Sequence, residues 1–203
     1  MATEVHTLNG ITLSRVETGE SHMRLSVFSP SQGLQLALLR KSRGKSAVPP
    51  PDLFDQVELH LQIRQSSGLP FIKEHRVLQK RRGLAMQHDR FQSASDLALL
   101  YLDNGRHLLE PKPSARLLEK ALASLCEGGN PQVVFFKTLF VFAKNEGHPV
   151  RESWLPALPA LERASALAIL GKPVEEQKNP PPALNSLLES LRVWLNSETE
   201  LRC

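Results

Sequence analysis

The sequence predicts an α+β architecture: a small β-barrel of about five strands over residues 1–83, followed by an all-helical domain over residues 84–203. Three observations carry this prediction. Apolar residues alternate with a period of two as far as residue 83, they recur at helical spacing from residue 84, and the excess positive charge lies in the first part alone.

The strands follow one another in order. Ile11 and Leu13 begin an alternation after Asn9-Gly10. In the stretch Gly19–Lys45, Met23, Leu25 and Val27 alternate with His22, Arg24 and Ser26. Leu34, Leu36 and Leu38 then alternate with Gln35 and Ala37 after a turn at Pro30–Gly33. This hairpin buries one face and leaves the other to solvent or a ligand. Pro49, Pro50 and Pro51 cannot donate ladder hydrogen bonds, so they belong to a connection. Val57, Leu59, Leu61 and Ile63 alternate with Glu58, His60, Gln62 and Arg64. Ser66-Ser67-Gly68 marks a turn, and Phe71 to Leu78 is the last extended stretch, running into Lys80-Arg81-Arg82-Gly83. Short strands with turn signals between them fit a closed or nearly closed barrel.

Helical periodicity then takes over. Leu97, Leu100, Tyr101 and Leu108 form one stripe. Pro113-Ser114 opens a second helix carrying Leu117, Leu118, Ala121, Leu122 and Leu125, which Gly128-Gly129 ends. Asn130-Pro131 reads as an N-cap with a first-turn proline, leading into Val133 to Asn145. Phe135, Phe136, Phe140 and Phe142 make that helix apolar nearly all round, which implies a central position. Gly147 is its expected C-terminal cap, and two further helices are expected near 157–170 and 183–196.

Composition narrows the function classes. The hydrophobic fraction of 41% and charged fraction of 23% are ordinary for a globular chain. No apolar run approaches the roughly 18 residues of a membrane span, and the N-terminus has no secretory pattern, so a cytoplasmic location is expected. Two cysteines, Cys126 and Cys203, exclude a disulfide-stapled scaffold and a four-thiolate zinc site within one chain. Cys126 falls on an apolar helical stripe, where a buried, inert thiol is expected. Residues 1–83 hold 12 Lys/Arg against 7 Asp/Glu, a net of +5, whereas residues 84–203 have a net of −1. That asymmetry points to an acidic partner for the first part, with nucleic acid the commonest case.

The order of these features resembles the bacterial recombination mediator RecO family. The resemblance rests on the Gly19-Glu20-Ser21 turn, the strand Leu25-Ser26-Val27-Phe28-Ser29, Gly33 and the basic loop Arg40–Lys45. The strand Phe54–Ile63 and the segment from Phe135-Phe136-Lys137-Thr138-Leu139 to Gly147-His148-Pro149 extend it over nearly the whole chain. It departs from the family after Pro149, where many members carry a four-cysteine zinc module. Val150 to Leu158 has no cysteine, so no zinc, and no cofactor, is expected. The resemblance implies an OB-fold-like barrel and a nucleoid-associated, non-enzymatic role in recombinational DNA repair. That role comprises binding single- and double-stranded DNA, annealing, and cooperation with RecR to load RecA.

Residue chemistry supports a narrower statement. Arg40, Lys41, Arg43 and Lys45 form a loop cluster able to reach phosphates, and Arg76, Lys80, Arg81 and Arg82 form a second cluster on and after the last strand. Each cluster has a plain alternative as a solvated loop. Phe28, Phe54 and Phe71 are the only aromatics before residue 84, so stacking is scarce and binding is expected to be electrostatic and sequence-independent. In the family, the acidic tail of single-stranded-DNA-binding protein docks on the helical domain. Arg106, Lys112 and Arg116 are the candidate cations for such a contact. His60 and His75 lie on polar strand positions and are candidate cross-strand neighbours, too few for a metal site. His88-Asp89 lacks a nucleophile, Glu175-Glu176 reads as a solvated loop, and no phosphate-binding glycine loop is present. The competing reading is a protein-interaction adaptor whose barrel has lost DNA binding.

Overall fold

A computed structural model describes residues 4–41, 48–63, 68–108 and 110–203. Five strands form one sheet: β1 (Glu4–Thr18), β2 (His22–Ser29), β3 (Gly33–Arg40), β4 (Gln56–Ile63) and β5 (Phe71–Gln79). The sheet closes on itself in the order β1-β2-β3-β5-β4, with β4 returning to β1. All pairings are antiparallel except β3 with β5, which is parallel and held by Leu38↔Phe71 and Leu39↔Ile72.

β1 is longer than its alternation suggests. Its first half pairs with β4 and its second half with β2, and the register shifts between Thr12 and Ser14. A bulge of this kind turns the strand from one neighbour to the next and breaks the period of two. The barrel interior is filled by Leu8, Met23, Leu25, Val27, Ala37, Leu39, Val57, Leu59, Leu61 and Ile72. Strand alternation turns His22 and Arg24 away from this interior, as the pattern predicts, whereas Ser26 is buried and accepts from the Ser14 hydroxyl at 2.7 Å. On β3 the expected faces are exchanged: Ala37 and Leu39 point inward, and Leu36 and Leu38 are half-buried on the outer face.

The helical part begins with a 3-10 turn, Arg82–Met86, followed by α1 (His88–Asn104), α2 (Pro111–Cys126) and α3 (Pro131–Asn145). The Asn130 side chain accepts from the Val133 N–H at 3.2 Å, so the predicted N-cap forms. Val133, Phe136, Leu139, Phe142 and Ala143 are all fully buried, which makes α3 the central helix. After a π-turn at Val150–Trp154 come the short α4 (Leu155–Ala157), α5 (Ala160–Gly171) and α6 (Leu184–Glu198). The single helix expected near 157–170 is broken at Leu158, which is extended (ψ 145) because Pro159 follows it. Trp154 anchors this segment between Phe136 and Phe140 and donates from Nε1 to Ser190 Oγ at 3.1 Å.

One end of the barrel is continuous with the helical core. Ile11, Leu13, Phe28, Leu34 and Phe54 belong to the same buried cluster as the helices. The Phe28 ring meets Tyr101 edge-on at 4.9 Å, and Tyr101 meets Phe142 at 5.1 Å. The β2–β3 turn docks on the end of α1, with the Leu34 N–H donating to the Gly105 carbonyl at 3.1 Å. Gly33 has φ +66 at that approach, and a Cβ there would stand 3.0 Å from the Gly105 oxygen. Among the described residues, none of those lining the cavity at the other end of the barrel belongs to a helix.

Candidate nucleic-acid interface

The free end of the barrel is built by the β1–β2 turn, the end of β3 and the start of β5. Glu20, Ser21, Leu39, Arg40, Lys41, Val48, Ile72, Lys73, Glu74 and His75 line a cavity of about 990 Å³ there. The register explains the grouping: Arg40 pairs with His22, and the parallel contact brings Ile72 beside Leu39, so Lys73 lies level with Arg40. Arg24 stands two residues along from His22 on the same outward face, opposite Leu38, which in turn pairs with Phe71.

Arg24, Arg40 and Lys73 are exposed, and Lys41 is half-buried. The Lys41 N–H donates to the Ser21 carbonyl at 2.8 Å, which ties the loop start to the β1–β2 turn. Its ammonium meets a Glu17 carboxylate oxygen at 2.9 Å. Because Glu17 is 80% exposed, that pair is weak and screened, and a phosphate can compete for the lysine. Phe71 is half-buried and meets the His22 ring edge-on at 5.8 Å. Phe28 and Phe54, the other two candidate aromatics, are buried. Glu20 and Glu74 make the cavity mixed in charge rather than uniformly basic.

Arg43 and Lys45 lie outside the described residues. Arg40 and Lys41 keep their place in the first cluster, and Lys73 and Arg24 join them. Neither stands in the two clusters the sequence predicts. Lys73 sits next to a register shift in the β4–β5 pairing, between His60 and Leu61, which alternation alone does not reveal.

The second cluster lies elsewhere. β5 runs away from the cavity, and Lys80 comes seven positions after Lys73, a span of about 23 Å in an extended strand. Arg76 is exposed midway, opposite Glu58, and Lys80 and Arg82 are exposed at the joint with the helices. The two clusters therefore do not meet at one mouth.

Arg81 departs from the surface role expected of it. It is 6% exposed, and its Nη1 donates to the Phe54 carbonyl at 2.6 Å. Burial lowers its pKa from the ordinary arginine value, with Glu119, Cys126 and Asp55 acting against that shift. Its partner Phe54 adopts φ +67, a left-handed conformation unusual for a bulky residue. The Phe54 N–H donates to Thr12 O at 2.8 Å and its ring meets Phe91 at 5.9 Å. Arg81 is thus a strut that holds a strained turn to the start of the helical part.

Two histidine expectations also change. His60 pairs with Glu74, and His75 pairs with Leu59, so the two rings are not directly opposed. His75 Nε2 lies 2.9 Å from the Pro49 carbonyl and tethers the proline-rich connection to β5. Cys126 is half-buried, and burial raises its thiol pKa. His88 is exposed at the start of α1, and Glu175-Glu176 sits in a 3-10 turn.

Among the candidate partner cations, Arg106, Lys112 and Arg116 are exposed. Lys112 and Arg116 rim a cavity of about 250 Å³ between the barrel and α2, whose floor includes Gly10, Ile11, Phe28, Pro30 and Ala115. Arg106 is not part of that rim. Among the described residues no group of three or more His, Cys, Asp or Glu is arranged to hold a metal ion, and no helix is long and apolar enough to cross a membrane. No family model matches the chain, and no curated protein matches it.

Proposed function

We propose that this protein is a non-enzymatic DNA-binding protein of recombinational repair, similar to the RecO family, that grips the phosphate backbone at the free end of an OB-fold-like barrel. The observation that carries this reading is the gathering of Arg40, Lys41 and Lys73 around one open barrel end, with Arg24 and the Phe71–His22 pair on the adjoining strands. Long cationic side chains on strand ends reach phosphates without disturbing a core, and such contacts release counterions. In OB-folds the face of strands two and three and the loops flanking it carry oligonucleotides. The five-strand order with its parallel β3–β5 closure supports assigning the barrel to that type.

Among the described Phe residues of the barrel only Phe71 is partly exposed, which leaves little stacking, so both single- and double-stranded DNA are bound through the backbone with little base reading. Annealing and recombinase loading with RecR and RecA follow from the resemblance. The acidic tail of single-stranded-DNA-binding protein would find its cations at Lys112 and Arg116, beside the apolar floor of the barrel–α2 cleft.

Fluorescence anisotropy with labelled single- and double-stranded oligonucleotides over a salt series tests the reading. Four phosphate contacts predict a slope of log K against log salt of about −3 to −4. Absence of binding at low salt overturns the proposal and leaves the adaptor reading, which the acidic residues Glu17, Glu20 and Glu74 around the cations would then explain.

A further inference from the structure

We propose that the cleft between α1, the start of α3 and α6 is a docking groove for an extended partner-protein segment carrying two or more Lys or Arg side chains. The cleft has a volume of about 520 Å³. α1 contributes Asp89, Ser93 and Asp96 to it, α6 contributes Glu189 and Arg192, and Phe135 of α3 lies between them. The spacings of three and four mean that a single face of each helix lines the groove.

Charge in the groove is unbalanced toward the negative, with three carboxylates against one guanidinium. Arg192 is already engaged: its guanidinium carbon lies 4.8 Å from the centre of the Phe135 ring, and Nη2 is 3.9 Å from Asp96 Oδ2. That ion pair is long and partly exposed, so an incoming cation can share the carboxylate. Asp89 and Glu189 are exposed and have no ion pair among the described residues. Arg90, the next cation on α1, lies toward Gly128 and is not part of the cleft lining.

Exposed carboxylates are ordinary on helices, and Asp89 also suits the positive end of α1. Ser93 sets this groove apart. It is 9% exposed, it lines the cleft between Asp89 and Asp96, and its hydroxyl has no hydrogen-bond partner among the described residues. A buried hydroxyl on a cleft wall calls for a partner, and this one can accept from an ammonium or donate to a peptide carbonyl. Among the described residues no three His, Cys, Asp or Glu are grouped to hold a metal ion, so the carboxylates do not converge on a point charge. Asp89 and Asp96 are two turns apart, about 10 Å along α1. Three residues of extended chain also span about 10 Å, so cations at every third position of a docked segment match that spacing. The same carboxylates repel nucleic acid. Such docking is independent of DNA binding at the mouth.

The test uses the full chain and a labelled synthetic peptide of about twelve residues, Gly and Ser with Lys at every third position, beside the same peptide with Gln for each Lys. The Lys peptide is expected to bind roughly tenfold or more tightly than the Gln peptide. Asp89→Asn/Glu189→Gln should lose that advantage, and Ser93→Ala should weaken binding about threefold. Both variants should unfold like the parent, because the two carboxylates are exposed and the hydroxyl is unpartnered. Amide resonances of residues 89–96 and 185–192 should shift on titration, while those around Arg40 stay still. Equal affinity for the two peptides, no binding, a footprint elsewhere, or parental affinity in Asp89→Asn/Glu189→Gln overturns the proposal. So does self-association of the parent in sedimentation that this double variant abolishes, without peptide binding, which makes the groove a contact between copies. Arg40→Ala supplies the separate reading: it should weaken DNA and leave the peptide untouched, and unchanged DNA affinity counts against the mouth alone.

Discussion

The two ends of the barrel carry similar runs of cations and place them differently, buried at one end and open at the other. At the joint, Phe28, Leu34 and Phe54 merge with the helical core, and Arg81 is drawn inside to hold the Phe54 carbonyl. At the mouth, Arg40 and Lys73 stay in solvent around an open cavity of about 990 Å³, and Arg24 is exposed on the neighbouring strand β2. A cation in a run of cations therefore has no fixed role. Whether a neighbouring element covers it decides whether it stabilises the fold or meets a ligand. The difference teaches that stability and binding should separate cleanly between the two ends.

The largest effect that could break this comparison is on the joint. Phe28→Ala removes a ring that is 1% exposed and packed on Tyr101, and should cost about 3–5 kcal/mol in urea unfolding. A cost below about 1 kcal/mol would mean that the barrel and helices do not share a core. Arg81→Met keeps the apolar stem but leaves the Phe54 carbonyl without its donor, and should cost about 1–3 kcal/mol. At temperatures where this variant is folded, its DNA affinity and salt slope should match the parent's.

Gly10→Ala sharpens the same contrast within β1. A Cβ at Gly10 would stand 2.5 Å from the Phe28 oxygen and 2.6 Å from Val27 Cγ1, so β1 and β2 must move apart. Its expected cost in thermal unfolding is about 1–3 kcal/mol, again with DNA binding retained. The smallest expected effect on stability is at the mouth. Arg24→Ala and Lys73→Ala remove exposed side chains and should each change stability by less than about 0.5 kcal/mol. In the anisotropy titration each should make the salt slope shallower by about 0.7–0.9.

Much of the fold was legible because each strand buries one face. The alternation at Met23–Val27 and Val57–Leu61 matches the barrel interior residue for residue. The run of phenylalanines in α3 announced a central helix for the same reason, and Asn130-Pro131 announced its start. β1 was only half legible, because it changes partner at a bulge and its alternation changes face there. The site is less legible in the sequence. Arg40 and Lys41 were visible as a charged run, but Lys73 joins them through a two-pair parallel contact between strands far apart in sequence, which no local pattern encodes. Arg81 was misplaced because consecutive residues entering a 3-10 turn point in different directions. In Lys80-Arg81-Arg82 one side chain turns inward while its neighbours stay out.

The central claim is that DNA is held at the mouth and not at the joint. The most direct measurement is the salt dependence of oligonucleotide binding for Arg40→Ala/Lys41→Ala/Lys73→Ala beside Lys80→Ala/Arg82→Ala. With three phosphate contacts removed, the first variant should lose about 2–3 from the magnitude of the slope, while the second keeps the parent's slope. A parental slope in the mouth variant, with the loss falling on Lys80→Ala/Arg82→Ala, would contradict the account.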